Sequence, residues 1–231
     1  ARYLADLAWT HRDRAISFGA IMSGRVSDGD MWRLEHARRS FDGLPLVVDV
    51  SSRLTVAEIT ARVRSEQKRM KKRGVELGVV FIDYMKFLQA SDRYKGNRVY
   101  EVGEITAGLK QMAKDCGVCV VLLAQLNRQV EARDDKRPNL SDLRESGDIE
   151  ADADVVAFLY RDSYYLERTP DHRAGDPVAI DMARAARNRL ELILAKNRTG
   201  ATQTVDLFCE MTSSSVASLH DSSASAGQEA S

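Results

Sequence analysis

Gly78-Val79-Val80-Phe81-Ile82-Asp83 is an unbroken apolar run that stops on a carboxylate. Such runs mark strands buried on both faces of a parallel sheet, where an alternating pattern would mark a half-exposed strand. Downstream, Val102, Ile105, Leu109 and Met112 recur at helical spacing across 101–114, which predicts an amphipathic helix. A second apolar run, 118–123, follows and ends at Ala124-Gln125. Further strands are expected over 153–160, 189–196 and 204–209, with a polar loop over 128–147 and a mixed excursion over 166–186. Upstream, the short apolar run 44–50 reads as a strand. Thr55 and the Ser27-Asp28-Gly29-Asp30 turn read as helix caps, and the spacing of Leu4, Leu7, Ala8, Ala15 and Ile16 predicts a helix over 1–20. Strands alternating with helices imply an open α/β sheet, whose ligands sit at the C-terminal edges of the strands. The polar residues at those edges are Asp83, Gln125 and the pair Lys196 and Arg198.

Composition narrows the class. The 231 residues balance 34 Lys and Arg against 34 Asp and Glu, which excludes a globally basic nucleic-acid glove but leaves room for a local basic loop. No stretch approaches the ~20 apolar residues of a membrane span, so no membrane partner is expected. Asp6, Arg12, Asp13 and Arg14 interrupt any signal-like apolar run near the start. The three cysteines, Cys116, Cys119 and Cys209, are too few and too odd for a disulfide framework and fit a reducing cytosol. Cys116-Gly-Val-Cys119 has redox spacing, but its first thiol falls at a helix end, where no dipole lowers its pKa. The histidines His11, His36, His172 and His220 show no spacing that would complete a zinc site.

Four segments can carry chemistry. A carboxylate at the end of a buried strand, as at Asp83, can hold Mg²⁺ through water beside a nucleotide phosphate. A neutral amide at the next strand end, Gln125, can sense a terminal phosphate; a strand-end turn is the plainer alternative. Lys196-Asn197-Arg198-Thr199-Gly200 places two cations on one side of an extended chain, able to reach charge on a phosphoryl group in a neighbouring subunit; a solvated β-turn is the alternative. Ser141-Asp142-Leu143-Arg144-Glu145-Ser146-Gly147 follows Arg128, Arg133, Lys136 and Arg137, and can grip phosphates through side chains and backbone N–H, or be an ordinary polar loop.

Three blocks resemble the C-terminal motor domain of DnaB-type replicative helicases. They are Phe81-Ile82-Asp83-Tyr84, then Ala124-Gln125-Leu126-Asn127-Arg128, then the run from Asp135-Lys136-Arg137-Pro138 through Asp142-Leu143-Arg144-Glu145-Ser146-Gly147 to Asp152-Ala153-Asp154 and Tyr160-Arg161-Asp162. Lys196-Asn197-Arg198 extends the likeness to near residue 210. The resemblance implies a RecA-like P-loop NTPase fold with a mostly parallel central sheet, and an ATP-driven helicase that unwinds DNA as a homo-hexamer encircling single-stranded DNA. It implies that Asp83 is the Walker B carboxylate holding Mg²⁺, and that Gln125 senses the phosphate of ATP. Lys196 and Arg198 would act in trans, and Arg144, Glu145 and Gly147 would face single-stranded DNA. It further implies primase and helicase-loader partners and a cytoplasmic, nucleoid-associated location.

The sequence departs from that pattern in two respects. A P-loop needs G-x-x-x-x-G-K-[ST], and here no Gly precedes a Lys and no Lys precedes Ser or Thr. The first glutamate, Glu35, falls too late to be the family's catalytic one. The expectation is an N-terminally truncated motor domain over 1–211, inactive alone, its Asp83 strand left with an unpaired edge, followed by a disordered Ser/Ala-rich tail over 212–231. Two alternatives stay open. A non-catalytic subunit for single-strand binding or ring assembly fits the missing P-loop. A RadA-like recombination ATPase shares the Lys-Asn-Arg element but does not account for the 144–154 block.

Overall fold

The computed structural model describes residues 16–94 and 96–219, apart from the side chains of 144–148. In chain order it contains α1 (Phe18–Met22), α2 (Asp28–Asp42), β1 (Leu54–Thr55), α3 (Val56–Lys71), β2 (Val79–Ile82), β3 (Leu88–Gln89), α4 (Arg98–Cys116), β4 (Cys119–Leu122) and α5 (Gly147–Asp152). There follow β5 (Val155–Tyr160), α6 (Asp162–Leu166), α7 (Pro170–Ala174), α8 (Pro177–Ala185), β6 (Arg189–Asn197), β7 (Gln203–Glu210) and β8 (Ser215–Ser218). The chain divides into two compact units. One holds residues through Leu44, then Phe158–Ile193 and the chain from Gln203; the other holds Pro45–Ala157 and Leu194–Thr202.

The second unit carries the strand ends of interest. Helix α3 begins where expected. Thr55 accepts from the Glu58 amide at 3.3 Å, and Glu58 accepts from the Thr55 amide at 2.8 Å, closing a capping box. Its last turn carries Lys68, Arg69 and Lys71, cations that suit the negative end of the helix dipole. In α4, Val102, Ile105, Leu109 and Met112 are all buried, as their spacing predicts, and Ile105, Leu109 and Met112 pack with Ile59, Val63 and Leu88. Gly108 lies where a Cβ would come within 3.1 Å of Val56 Cγ1, so α4 and the start of α3 approach closely. Gly117 ends α4 in the left-handed conformation, φ +63°, between the two cysteines of the CxxC spacing. Cys116 thus closes a helix and Cys119 opens a strand, and both thiols are free.

Strands β2 and β4 pair in parallel, with Val79 opposite Cys119 and Ile82 opposite Leu122. β1 and β3 form a second parallel pair, Leu54 opposite Leu88. Burial on both faces, expected from the apolar runs, is not observed. Val80, Ile82, Val120 and Leu122 turn toward the α3–α4 core, while Val79 and Val121 are exposed and Phe81 is 69% exposed. The helices cover one face, and the other carries the exposed Val79, Phe81 and Val121. The strand expected over 44–50 is also absent. That segment is exposed and held instead by side chains: Arg62 donates to Asp49 and, at 2.8 Å, to Ser51 Oγ. Hydrogen bonds from Ser51 and Arg62 hold the Asp49 carboxyl down at about 2.

In the first unit, α2 opens on the expected Ser27–Asp30 capping box, and Leu34 and Ala37 pack against Ile16, Ile21 and Val26. The helix expected over 1–20 falls mostly outside the described residues; α1 starts at Phe18. Strands β7 and β8 of this unit are antiparallel and close a four-stranded sheet in the order β5, β6, β7, β8. Strand β8 lies inside the stretch read as a disordered tail from 212. Ser213 and Ser215, whose polar side chains suggested solvent, are buried and hydrogen-bond each other at 2.8 Å. The rest of that stretch, from 220, lies outside the described residues. The excursion over 166–186 is helical. Thr169 and Asp176 cap α7 and α8 ahead of Pro170 and Pro177, the first-turn prolines that helices accept.

Candidate functional site

Parallel pairing carries β2 and β4 to a common C-terminal edge. There the Leu123 amide donates to the Ile82 carbonyl at 3.0 Å, and the Met85 amide donates to the Leu123 carbonyl at 2.9 Å. Asp83 leaves β2 at this edge, joined to Tyr84 by a cis peptide, and Gln125 stands three residues beyond β4. Both side chains are exposed, and neither has a hydrogen-bond or ion-pair partner among the described residues. Beside them lies a cavity of about 390 Å³, lined in part by Tyr84, Lys86, Arg98, Gln125 and Asn127. A strand-end carboxylate and amide without partners are free to meet a hydrated cation and a phosphate oxygen. Among the described residues, no group of three or more His, Cys, Asp or Glu side chains forms a metal site of its own.

The segment after Gln125, read as a plain loop, is built around Asp142. This carboxylate is 6% exposed and accepts from Arg133 at 2.8 Å and from the Asn139 amide at 2.9 Å. Its backbone carbonyl accepts from the Asn127 amide at 3.1 Å. Short 3₁₀ turns form over Arg128–Ala132 and Leu140–Ser146, where only a loop was expected. Arg144 and Glu145 belong to the second turn, and Gly147 opens α5. The side chains of Arg144 and Glu145, and the surroundings of Gly147, lie outside the described part of the structure.

Lys196 and Arg198, at the end of β6, meet the end of α5. The Lys196 ammonium donates to the Glu150 carbonyl. The Arg198 guanidinium donates to Asp154 Oδ1 at 3.2 Å and reaches the Ala151 carbonyl at 3.4 Å, while its backbone amide donates to the Asp154 carbonyl at 2.8 Å. Asp154 also pairs with Lys110 of α4. Lys110 first, then Arg198 and Lys114, hold the Asp154 carboxyl below the usual carboxylate range. The structure thus brings Asp83 and Gln125 to one edge and places Lys196 and Arg198 on α5 and Asp154. Sequence reading assigned no role to Asp142, Asp154 or Lys110. The first two stand in the quoted acidic blocks; the partners of Asp154, Lys110 and Arg198, lie 44 residues away and leave no local signal.

Parallel β2 and β4, with Asp83 and Gln125 just beyond them, belong to a RecA-like α/β domain, the fold of the solved structures that this chain resembles. One of them, an ATPase domain, superposes with a TM-score of 0.78 over 94% of this chain and 69% of that one, at 30% identity. A DnaB-like replicative helicase, solved to describe its interactions with primase, gives the same TM-score and identity over 48% of its chain. The family pattern of the DnaB-like helicase C-terminal domain matches residues 8–217, and the chain belongs to that family. The replicative DNA helicase DnaB of Rickettsia bellii is 40% identical over 195 residues, and the replicative DNA helicase DnaC of Bacillus subtilis is 40% identical over 187. Each alignment covers 81% of this chain. The chain spans 38% of the Rickettsia protein's length and 37% of the Bacillus protein's.

Proposed function

We propose that this chain is part of the motor of a hexameric replicative helicase, which couples ATP hydrolysis to duplex unwinding by translocation on single-stranded DNA. One observation carries the reading. Asp83 and Gln125 share a parallel-strand edge with no intramolecular partners among the described residues, within a fold and family whose named relatives are replicative helicases. Asp83 would hold Mg²⁺ through water. Gln125 would hydrogen-bond a terminal phosphate oxygen and pass its presence to the segment 127–142, which starts two residues later. Arg144, Glu145 and Gly147 would line the single-strand path. Glu145 suits a phosphate poorly by charge, so its backbone N–H or an ion pair with Arg144 is its contribution. Lys196 and Arg198 would stabilise charge on the neighbouring subunit's phosphoryl group.

ATP and Mg²⁺ fit this chain in part. The cation-holding carboxylate and the amide are present, whereas G-x-x-x-x-G-K-[ST] is not within these residues. The chain on its own is therefore proposed to be inactive in hydrolysis. The assembly, primase and loader contacts, and a cytoplasmic, nucleoid-associated setting belong to the same proposal. No helix among the described residues is long and apolar enough to cross a membrane.

Binding of a fluorescent single-stranded oligonucleotide to the complete gene product tests the reading, with ATP present and absent. The expected result is binding that responds to ATP and weakens in Arg144→Ala. Binding that ignores ATP but still needs Arg144 supports the non-catalytic subunit instead. Affinity undiminished in Arg144→Ala removes the loop assignment.

A further inference from the structure

Arg198 can serve a neighbouring subunit only when its guanidinium is free, and in this structure it is engaged within its own chain. Asp154 Oδ1 accepts from it at 3.2 Å, and the Ala151 carbonyl lies 3.4 Å from the second nitrogen. The backbone amide of Arg198 donates to the Asp154 carbonyl at 2.8 Å, so the two residues stay together even when the side chains part. Asp154 is contested, because Lys110 of α4 pairs with the same carboxylate through Oδ2. Helix α5 is itself tied to α4, where Thr106 donates to Asp152 at 2.6 Å.

The strength of the contact matters. The Arg198 and Asp154 side chains are 54% and 56% exposed, so their pairing is the weak, reversible kind. A buried pair of the same geometry would hold Arg198 too firmly to release it. The last carbonyls of α5 also carry the negative end of the helix and are open to cations, and Lys196 already occupies Glu150. Helix α5 starts at Gly147, directly after the 140–146 turn.

We propose that Asp154 is a positioning residue for Arg198. Its carboxylate, shared with Lys110, parks the guanidinium inside its own chain and sets how often Arg198 is available to the neighbouring subunit. This rests on the trans-acting role proposed for Arg198 above.

The test compares Asp154→Asn, Lys110→Met and Arg198→Ala in the complete gene product assembled as a ring. ATP turnover is measured with and without a single-stranded homopolymer, and thermal midpoints serve as the folding control. Asp154→Asn should release Arg198 and raise DNA-independent turnover about two- to five-fold, the shift an exposed ion pair supports, while the DNA-stimulated rate stays put. Lys110→Met leaves Asp154 to Arg198 alone and should lower DNA-independent turnover. Opposite signs from two neutralising changes at one ion cluster are not what simple structural damage produces. Should Asp154→Asn fail to fold, the sign of Lys110→Met still decides. If Arg198→Ala abolishes turnover while Asp154→Asn and Lys110→Met leave it unchanged, or both lower it, the positioning role is wrong and the trans role stands. If Arg198→Ala turns over ATP normally in a formed ring, the trans role fails, and this inference with it.

Discussion

The strand ends of the second unit differ sharply. At the end of β2 and β4, Asp83 and Gln125 stand exposed, with no partner among the described residues. At the end of β6, Lys196 and Arg198 are held by the Glu150 and Ala151 carbonyls and by Asp154. A carboxylate and an amide left without partners break no internal contacts when they meet a cation and a phosphate. Cations already satisfied must exchange partners before they can act. The first edge offers unpartnered polar groups among the described residues, and the second offers cations already engaged.

The largest expected effect falls on the held end. Arg198→Ala in the assembled complete protein should lower hydrolysis on the order of 10³-fold, with nucleotide affinity nearly unchanged, as read by single-turnover hydrolysis beside equilibrium binding. At the first edge, Asp83→Asn should lower turnover on the order of 10²-fold and shift its Mg²⁺ dependence to higher concentration; an unchanged Mg²⁺ profile would remove the carboxylate from cation binding. Arg133→Ala leaves Asp142 buried without its cation and should cost about 1–3 kcal/mol in denaturant unfolding. A loss well below that range would mean the 127–142 segment does not depend on this pair.

The smallest effect is on pH. The Asp154 carboxyl lies below its ordinary value, so its contribution is fully present above about pH 4 and fades as pH falls through the depressed folded value. In carboxyl NMR titrations Lys110→Met should move Asp154 upward more than Arg198→Ala does, because Lys110 is the larger cause. The reverse order would place Arg198, not Lys110, as the main partner.

These contrasts were unequally legible in the sequence. Strands β2, β4, β6 and β7 and helix α4 follow from apolar runs and spacing, because each pattern is local. Asp83 and Gln125 were readable for the same reason: a strand end is a sequence position. The apolar run 44–50 misled, since apolarity marks a strand only where a neighbour supplies backbone partners, and this segment is held by Arg62 and Ser51 instead. Burial of β2 and β4 on both faces does not follow from their apolar runs, because a sequence shows what could be covered and not what covers it. Strand β8 is masked by its Ser-rich composition, and its pairing with β7, Cys209 opposite Val216, is what makes it a strand. The hold on Arg198 joins residues 44 apart in sequence, beyond any local pattern.

The central claim is that Asp83 serves its own subunit's nucleotide while Arg198 serves the neighbour's. The direct test mixes two inactive variants of the complete protein, Asp83→Asn and Arg198→Ala, and follows ATP turnover with ring formation verified by native mass spectrometry. Mixed rings place an intact Asp83 beside an intact Arg198 from the adjacent subunit, so turnover should return on mixing. Mixed rings that form yet stay inactive at every ratio would contradict the account.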